Sequence, residues 1–107
     1  MAADDRITAF IDSLDRGNTP FLDELEKYAI SEQVPIIRKS TQSLLKFLVT
    51  YAKPKSILEV GTAIGFSALL MSEYAPPDCR ITTIEKYGKR IPVARENFRR
   101  AEKENAI

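Results

Sequence analysis

Apolar residues recur at a spacing of three or four through the first half of the chain, which predicts three amphipathic helices. Gly17 marks the expected end of the first helix. Thr19 and Pro20 are typical of an N-cap and a first helical position, so a second helix is expected to begin there. After an interruption at Pro35, helical spacing returns over residues 40–52. The three apolar series are Ile7, Phe10, Ile11 and Leu14; Leu22, Leu25 and Ala29; and Leu44, Leu45, Leu48 and Val49.

The second half alternates between short apolar runs and helical patterns. Strands are predicted at Ser56–Val60 and Arg80–Ile84, and helices at Phe66–Tyr74 and residues 89–105. This alternation implies an α/β fold with a parallel sheet and right-handed crossovers. Two strands make a poor parallel sheet, because such sheets are covered on both faces and contain several strands. The chain is therefore expected to be an incomplete domain, with residues 1–55 as a helical lead-in, or to complete its sheet with another chain.

Composition and charge exclude several classes of function. The 107 residues carry 16 Lys+Arg against 15 Asp+Glu, a net charge of +1, which gives no reason to expect non-specific binding to nucleic acid or membranes. One cysteine and no histidine exclude an internal disulfide, a Cys/His metal site and a histidine-based triad within the chain. Residues 1–11 contain no long apolar run, so neither a signal peptide nor a membrane span is expected, and a cytoplasmic protein is the default.

Two of the four glycines, Gly61 and Gly65, lie in the turn between the first predicted strand and its helix. Glycine allows a positive φ and the close approach of a ligand, and a helix N-terminus directs amide groups into the same space. Glu85 ends the second strand 20 residues after Gly65, the spacing between a glycine turn and a carboxylate that holds a cofactor ribose. Glu59, near the end of the first strand, could receive a ligand ammonium through its backbone or a water. Together these features favour a ribose-bearing cofactor over a tight corner without a ligand.

The glycine turn does not match the dinucleotide fingerprint. Ala63 occupies the place of the middle glycine, and no third glycine follows at the required spacing. That counts against an NAD-dependent oxidoreductase, in which the glycines make room for a pyrophosphate. S-Adenosylmethionine has no phosphate, so its site needs only the close approach of its methionine portion. The spacing by itself does not decide between NAD and S-adenosylmethionine.

Three segments resemble a known family. ILEVGTAIGFSALLMS, residues 57–72, resembles motif I of the class I adenosylmethionine-dependent O-methyltransferases, in particular the catechol and caffeoyl-CoA O-methyltransferases. Residues 34–48 and 81–101 resemble a bacterial branch that includes the tRNA 5-hydroxyuridine methyltransferase. The resemblance implies a Rossmann-like, seven-stranded α/β sheet preceded by helices, commonly in a homodimer. This chain would supply the N-terminal helices and the first βαβα part.

The resemblance also implies a role in cofactor binding for seven residues. Glu85 would hold the ribose of the cofactor, and Ile37 would pack close to the cofactor. The methionine end would be lined by five residues, which are Glu59, Gly61, Thr62, Gly65 and Ser67. Core packing explains Ile37 equally well, and a helix N-cap would explain Ser67.

The family transfers a methyl group to a hydroxyl, with Mg²⁺ on the substrate oxygens. Its metal ligands follow the fourth and fifth strands, so the resemblance implies no catalytic and no metal-binding residue in this chain. The chain alone is expected to be inactive.

The resemblance points to 5-hydroxyuridine in tRNA as the methyl acceptor, with a small catechol-like phenol as the alternative. A different hypothesis is a non-catalytic interaction module. Unpaired strand edges favour association, so a homodimer or a strand-exchanged oligomer is expected.

Overall fold

A computed structural model describes residues 4–107 of the chain. Residues 1–3, which belong to the expected helical lead-in and to the N-terminal segment discussed above, lie outside the described residues. The order of elements confirms the predicted α/β fold class, with three helices followed by strand, helix, strand and helix. The elements are α1 (Asp5–Ser13), α2 (Pro20–Ser31), α3 (Lys39–Ala52), β1 (Ser56–Val60), α4 (Phe66–Tyr74), β2 (Arg80–Ile84) and α5 (Ile91–Arg100).

Helix ends follow local chemistry, with two departures from the prediction. Helix α1, expected to end at Gly17, ends at Ser13, with Leu14 as its C-cap. Thr19 caps α2 as expected, because its hydroxyl accepts a hydrogen bond from the Leu22 amide at 3.2 Å. Helix α5, predicted to reach residue 105, ends at Arg100. Glu102 adopts a left-handed φ of 57°, and the Lys103 amide donates to the Phe98 carbonyl at 2.9 Å. This is the hydrogen bond of a Schellman ending, in which glycine usually occupies the left-handed position.

The two strands form a parallel pair in the register Ser56↔Arg80 to Val60↔Ile84. The Ile81 amide donates to the Ala106 carbonyl at 2.8 Å on the other side of β2. Residues after α5 therefore return along the outer edge of β2, while β1 has β2 as its only strand neighbour within residues 4–107.

Helix α4 forms the centre of the molecule and contacts α2, α3 and β2. Its residues are apolar on nearly every side, which is typical of a buried helix. The sheet is covered only on the face that carries Ile81, which is 4% exposed. On the other face Leu58, Val60 and Ile84 are 67%, 81% and 53% exposed. The buried residues of α4 are Phe66, Ala68, Leu69, Leu70 and Met71.

Candidate functional site

The turn after β1 folds over the end of β2. The amides of Gly61 and Thr62 both donate to the Ile84 carbonyl, at 2.8 and 3.2 Å. Gly61 has a φ of 98°, which an L-residue adopts only with strain. A Cβ atom built on Gly61 would meet no atom within 4 Å, so the space beside this backbone is open. The geometry provides a place where a ligand can approach the main chain.

Gly65 has a different reason to be glycine. Its φ is 90°, and a Cβ atom there would lie 2.6 Å from Cε1 of Phe98. Gly65 is buried and is the N-cap of α4. It therefore allows α4 to pack against α5, and it lines neither of the two cavities described below. Because Gly65 occupies the cap position, the N-cap explanation for Ser67 is wrong.

Glu85 fixes the turn through its side chain. One carboxylate oxygen accepts from the Ala63 amide at 2.6 Å, and the other accepts from the Tyr87 amide at 3.0 Å. These backbone hydrogen bonds, from Tyr87 and then Ala63, hold the pKa of Glu85 below its usual value. Two carboxylate oxygens offer about four acceptor positions, so Glu85 keeps capacity for further donors. Ala63 has a left-handed φ of 49° in the place of the fingerprint's middle glycine.

A chain of hydroxyl groups connects Glu59 to the turn. The Thr83 hydroxyl lies 2.6 Å from the Glu59 carboxylate, to which it donates, and 2.6 Å from the Thr62 hydroxyl. Burial raises the pKa of Glu59, and the hydrogen bond from Thr83 partly offsets that effect. Sequence reasoning missed Thr83. The signal was the strand register, because Thr83 lies opposite Glu59.

A cavity of about 270 Å³ brings the loop before α3 together with the glycine turn. The loop is anchored by Gln42, which is fully buried and donates to the Ile37 carbonyl at 3.0 Å and to the Glu26 carboxylate at 2.8 Å. Sequence reasoning did not single out Gln42, whose polarity inside an apolar helix was the available signal. The cavity is lined by Pro35, Ile36, Ile37, Gly61, Thr62, Ala63, Phe66 and Ser67.

A larger cavity of about 650 Å³ lies along β2 and α5, and Thr62 and Glu85 are among its lining residues. Thr62 lines both cavities. An elongated ligand could therefore lie across Thr62, with one end beside Ile37 and Ser67 and the other beside Glu85. Of the seven predicted residues, four lie in the small cavity and Glu85 lies in the large one. Glu59 belongs to the hydroxyl chain, and Gly65 is packed against α5.

The described residues offer no metal centre. Within residues 4–107, no three side chains of His, Cys, Asp or Glu are grouped as metal ligands would be. No helix in the same range is both long enough and apolar enough to cross a bilayer.

Comparison with known proteins identifies the family. A family model described as O-methyltransferase matches residues 12–107, so the chain belongs to the O-methyltransferase family. A catechol O-methyltransferase of Mycobacterium tuberculosis is 33% identical over 97 residues, which are 89% of this chain and 44% of that protein.

Solved structures agree with this assignment. A Staphylococcus aureus protein described as a caffeoyl-CoA O-methyltransferase matches with a TM-score of 0.84 and 32% identity over 96% of this chain and 48% of its own. A Podospora anserina methyltransferase solved with bound S-adenosylhomocysteine matches with a TM-score of 0.86 and 26% identity, over 95% of this chain and 45% of its own. The fold is thus the N-terminal part of a Rossmann-like methyltransferase. The chain spans less than half the length of each of these relatives.

Proposed function

We propose that this chain forms the cofactor half-site of an S-adenosylmethionine-dependent O-methyltransferase. The observation that carries the proposal is the meeting of the β1 turn with the end of β2. There the Gly61 amide donates a hydrogen bond to the Ile84 carbonyl, and the Ala63 amide donates one to the Glu85 carboxylate. Family membership and the S-adenosylhomocysteine bound to the Podospora anserina relative support this cofactor over NAD.

Each proposed contact uses a feature of the turn. The open space at Gly61 would admit the methionine portion, with Ile37 and Ser67 on its sides. Glu85 would accept hydrogen bonds from the ribose hydroxyls with the acceptor positions that Ala63 and Tyr87 leave free. Glu59 would act less directly, by fixing the hydroxyl groups of Thr83 and Thr62.

The chain's proposed part in the reaction is to bind and orient the cofactor. S-Adenosylmethionine supplies a methyl group on a sulfonium, and its transfer to a substrate oxygen leaves S-adenosylhomocysteine and releases the hydroxyl proton. The chain's residues would hold the cofactor in place and exclude water from the small cavity. We propose that the chain by itself does not transfer methyl groups, because the resemblance implies metal ligands that follow the fourth and fifth strands of the family's sheet.

Calorimetric titration with S-adenosylhomocysteine tests the cofactor, with NAD as the control ligand. We expect selective binding of S-adenosylhomocysteine. Glu85→Gln should weaken it about tenfold, because hydrogen bonds to a charged acceptor are roughly twice as strong as neutral ones. Glu73→Gln, on the exposed side of α4, is the matched control. Binding of NAD instead would contradict the proposal, as would equal losses in the two variants.

For the methyl acceptor we propose a small catechol-like phenol. The Mycobacterium tuberculosis relative is named for catechol, and a net charge of +1 gives the chain little attraction for polyphosphate. The second candidate is 5-hydroxyuridine in tRNA, which stays a prediction from the resemblance of residues 34–48 and 81–101. Methyl-transfer assays with catechol and with bulk tRNA separate the two candidate acceptors. The assays use a protein of the relatives' length that contains this chain. Activity on tRNA alone would overturn the phenol proposal.

A further inference from the structure

Three side chains beneath the glycine turn form a chain of hydrogen bonds whose direction is fixed. The Thr83 hydroxyl donates to the Glu59 carboxylate at 2.6 Å. The Thr62 hydroxyl lies 2.6 Å from the Thr83 hydroxyl, and the distance alone allows either oxygen to be the donor. A hydroxyl group has one proton, and an ionised carboxylate can only accept. Because the Thr83 proton is used for Glu59, the Thr62 hydroxyl must donate to Thr83.

This direction decides what Thr62 offers to a ligand. Its hydroxyl oxygen keeps lone pairs but has no proton left to donate. Its main-chain groups are engaged within the turn, since the Thr62 amide donates to the Ile84 carbonyl at 3.2 Å and the Thr62 carbonyl accepts from the Gly65 amide at 2.9 Å. Toward a ligand, the Thr62 side chain is therefore an acceptor only.

Thr62 is placed where a ligand would pass. It is 6% exposed, so little water competes for its oxygen, and it lines both the small and the large cavity. The described residues that line the small cavity include no charged side chain. The Glu59 carboxylate behind the two hydroxyls polarises the chain of hydrogen bonds, because hydrogen bonds to a charged group are stronger and neighbouring ones reinforce each other. These features favour a ligand group that donates a hydrogen bond to Thr62.

We propose that Thr83 is a positioning residue that sets cofactor specificity through Thr62. By accepting the hydrogen bond from Thr62, it leaves the Thr62 oxygen as a pure acceptor, and the site thereby prefers a cofactor that donates a hydrogen bond there. The inference rests on the proposed cofactor half-site and adds a specificity-determining pair to it. S-Adenosylhomocysteine carries two kinds of donor in the parts assigned to the two cavities, the ammonium of its homocysteine portion and the ribose hydroxyls. The two share the chemistry that Thr62 would recognise, and the experiment distinguishes them.

Calorimetric titration tests the proposal by a cycle in which one change is made in the protein and the other in the ligand. The ligands are S-adenosylhomocysteine, its analogue without the amino group and its analogue without the ribose 2′- and 3′-hydroxyls. Thr62→Val removes the acceptor, while Glu59 keeps Thr83 as its donor. We expect Thr62→Val to weaken S-adenosylhomocysteine about fivefold, the net value of one hydrogen bond. It should leave unchanged the binding of the analogue that lacks the donor.

Thr83→Val tests the positioning role. It frees the Thr62 proton, so the ratio of the affinity for S-adenosylhomocysteine to that for the analogue should fall about fivefold. A purely structural loss would weaken both ligands alike and leave this ratio unchanged. Thr83→Ser keeps the hydroxyl and should restore the wild-type ratio, and Thr50→Val, on the exposed side of α3, is the matched control. If Thr83→Val fails to fold, Thr83→Val combined with Glu59→Gln removes the buried charge together with its donor and gives the same ratio.

The outcomes separate this inference from the proposed function. A loss in Thr62→Val confined to ligands with the amino group would support the inference and assign the contact to the ammonium, and one confined to ligands with the ribose hydroxyls would assign it to the ribose. Wild-type ratios in Thr62→Val and Thr83→Val would overturn the inference and leave the cofactor in place, since S-adenosylhomocysteine would still bind. A changed ratio in Thr62→Val alone would also overturn it, because Thr62 would then select donors without Thr83. A wild-type chain that does not bind S-adenosylhomocysteine would contradict the proposed function, and this inference with it.

Discussion

Gly61 and Gly65 are both left-handed, yet only Gly65 is enclosed by other side chains. We expect Gly65→Ala to destabilise the fold by about 1–3 kcal/mol, because the new methyl group would overlap the Phe98 ring. Phe98 is 7% exposed, so its ring can yield only toward the large cavity that it lines. Urea unfolding of the variant measures the loss.

Gly17→Ala is the control for backbone strain in that experiment. Gly17 has a similar φ of 82°, but a Cβ atom there would meet nothing within 4 Å. The added methyl group should therefore cost only the backbone strain of roughly 1 kcal/mol. Phe98→Leu should recover part of the loss in Gly65→Ala as a double mutant. Equal losses at the two glycines would show that the Phe98 contact is unimportant.

Glu59 places a partly buried carboxylate under the turn. Its raised pKa means that the folded state binds the proton more tightly than the unfolded chain does, so the ionised carboxylate costs stability above its ordinary pKa of about 4.3. Glu59→Gln keeps an acceptor for Thr83 and removes the charge. We expect its free energy of unfolding to exceed that of the wild type at pH 7, with no difference below pH of about 4. Glu73→Gln, at an exposed site, should show neither effect, and a destabilised Glu59→Gln at pH 7 would contradict the prediction.

At the scale of elements, Gln42 holds the loop that carries Ile37. Gln42→Leu leaves the Ile37 carbonyl and the Asn18 amide without their partner, so we expect a loss of about 2–4 kcal/mol. Amide hydrogen exchange in residues 33–38 should become faster as the loop opens. Thr50→Ala, on the exposed side of α3, should change neither quantity. Unchanged exchange in Gln42→Leu would show that the loop is held by apolar packing instead.

Asp15 ties the connection between α1 and α2 to α3. Burial alone would raise its pKa, but hydrogen bonds from Ser43, the Gly17 amide and Lys46 outweigh burial and lower it. The carboxylate therefore stabilises the fold above its unfolded pKa of about 3.9, and this contribution is lost as the pH falls through the lower folded value. Asp15→Asn should be less stable than the wild type at pH 7 and should lose less on acidification to pH of about 3. Parallel stability curves for the two proteins, measured by denaturant unfolding against pH, would contradict this.

The elements that could be predicted from the sequence are those whose signals are local in the chain. Thr19, Pro20 and the apolar spacing are local, and the helices and strands that depend on them are confirmed. The predicted end of α5 was wrong because the left-handed residue that ends the helix is Glu102 and not a glycine. Thr83 and Gln42 were missed because their roles depend on partners distant in the chain, which local patterns do not reveal.

At the scale of the whole molecule, an incomplete parallel sheet could be predicted, because two strands are too few for a sheet of this kind. Which face of the sheet is left uncovered became clear only from the burial of Ile81 on one face and the exposure of Val60 on the other. Within the described residues, the sheet therefore keeps one apolar face exposed, the face that carries Leu58, Val60 and Ile84.

A pair of substitutions on the sheet shows whether its open face is covered in solution. Ile81, 4% exposed, contributes to the core, so Ile81→Ala should cost about 2–5 kcal/mol. Val60, 81% exposed on the opposite face, buries little, so Val60→Ala should change the free energy of unfolding by less than about 0.5 kcal/mol. Denaturant unfolding gives both values. Comparable losses would mean that Val60 is buried in solution, so another copy of the chain would then cover the open sheet face.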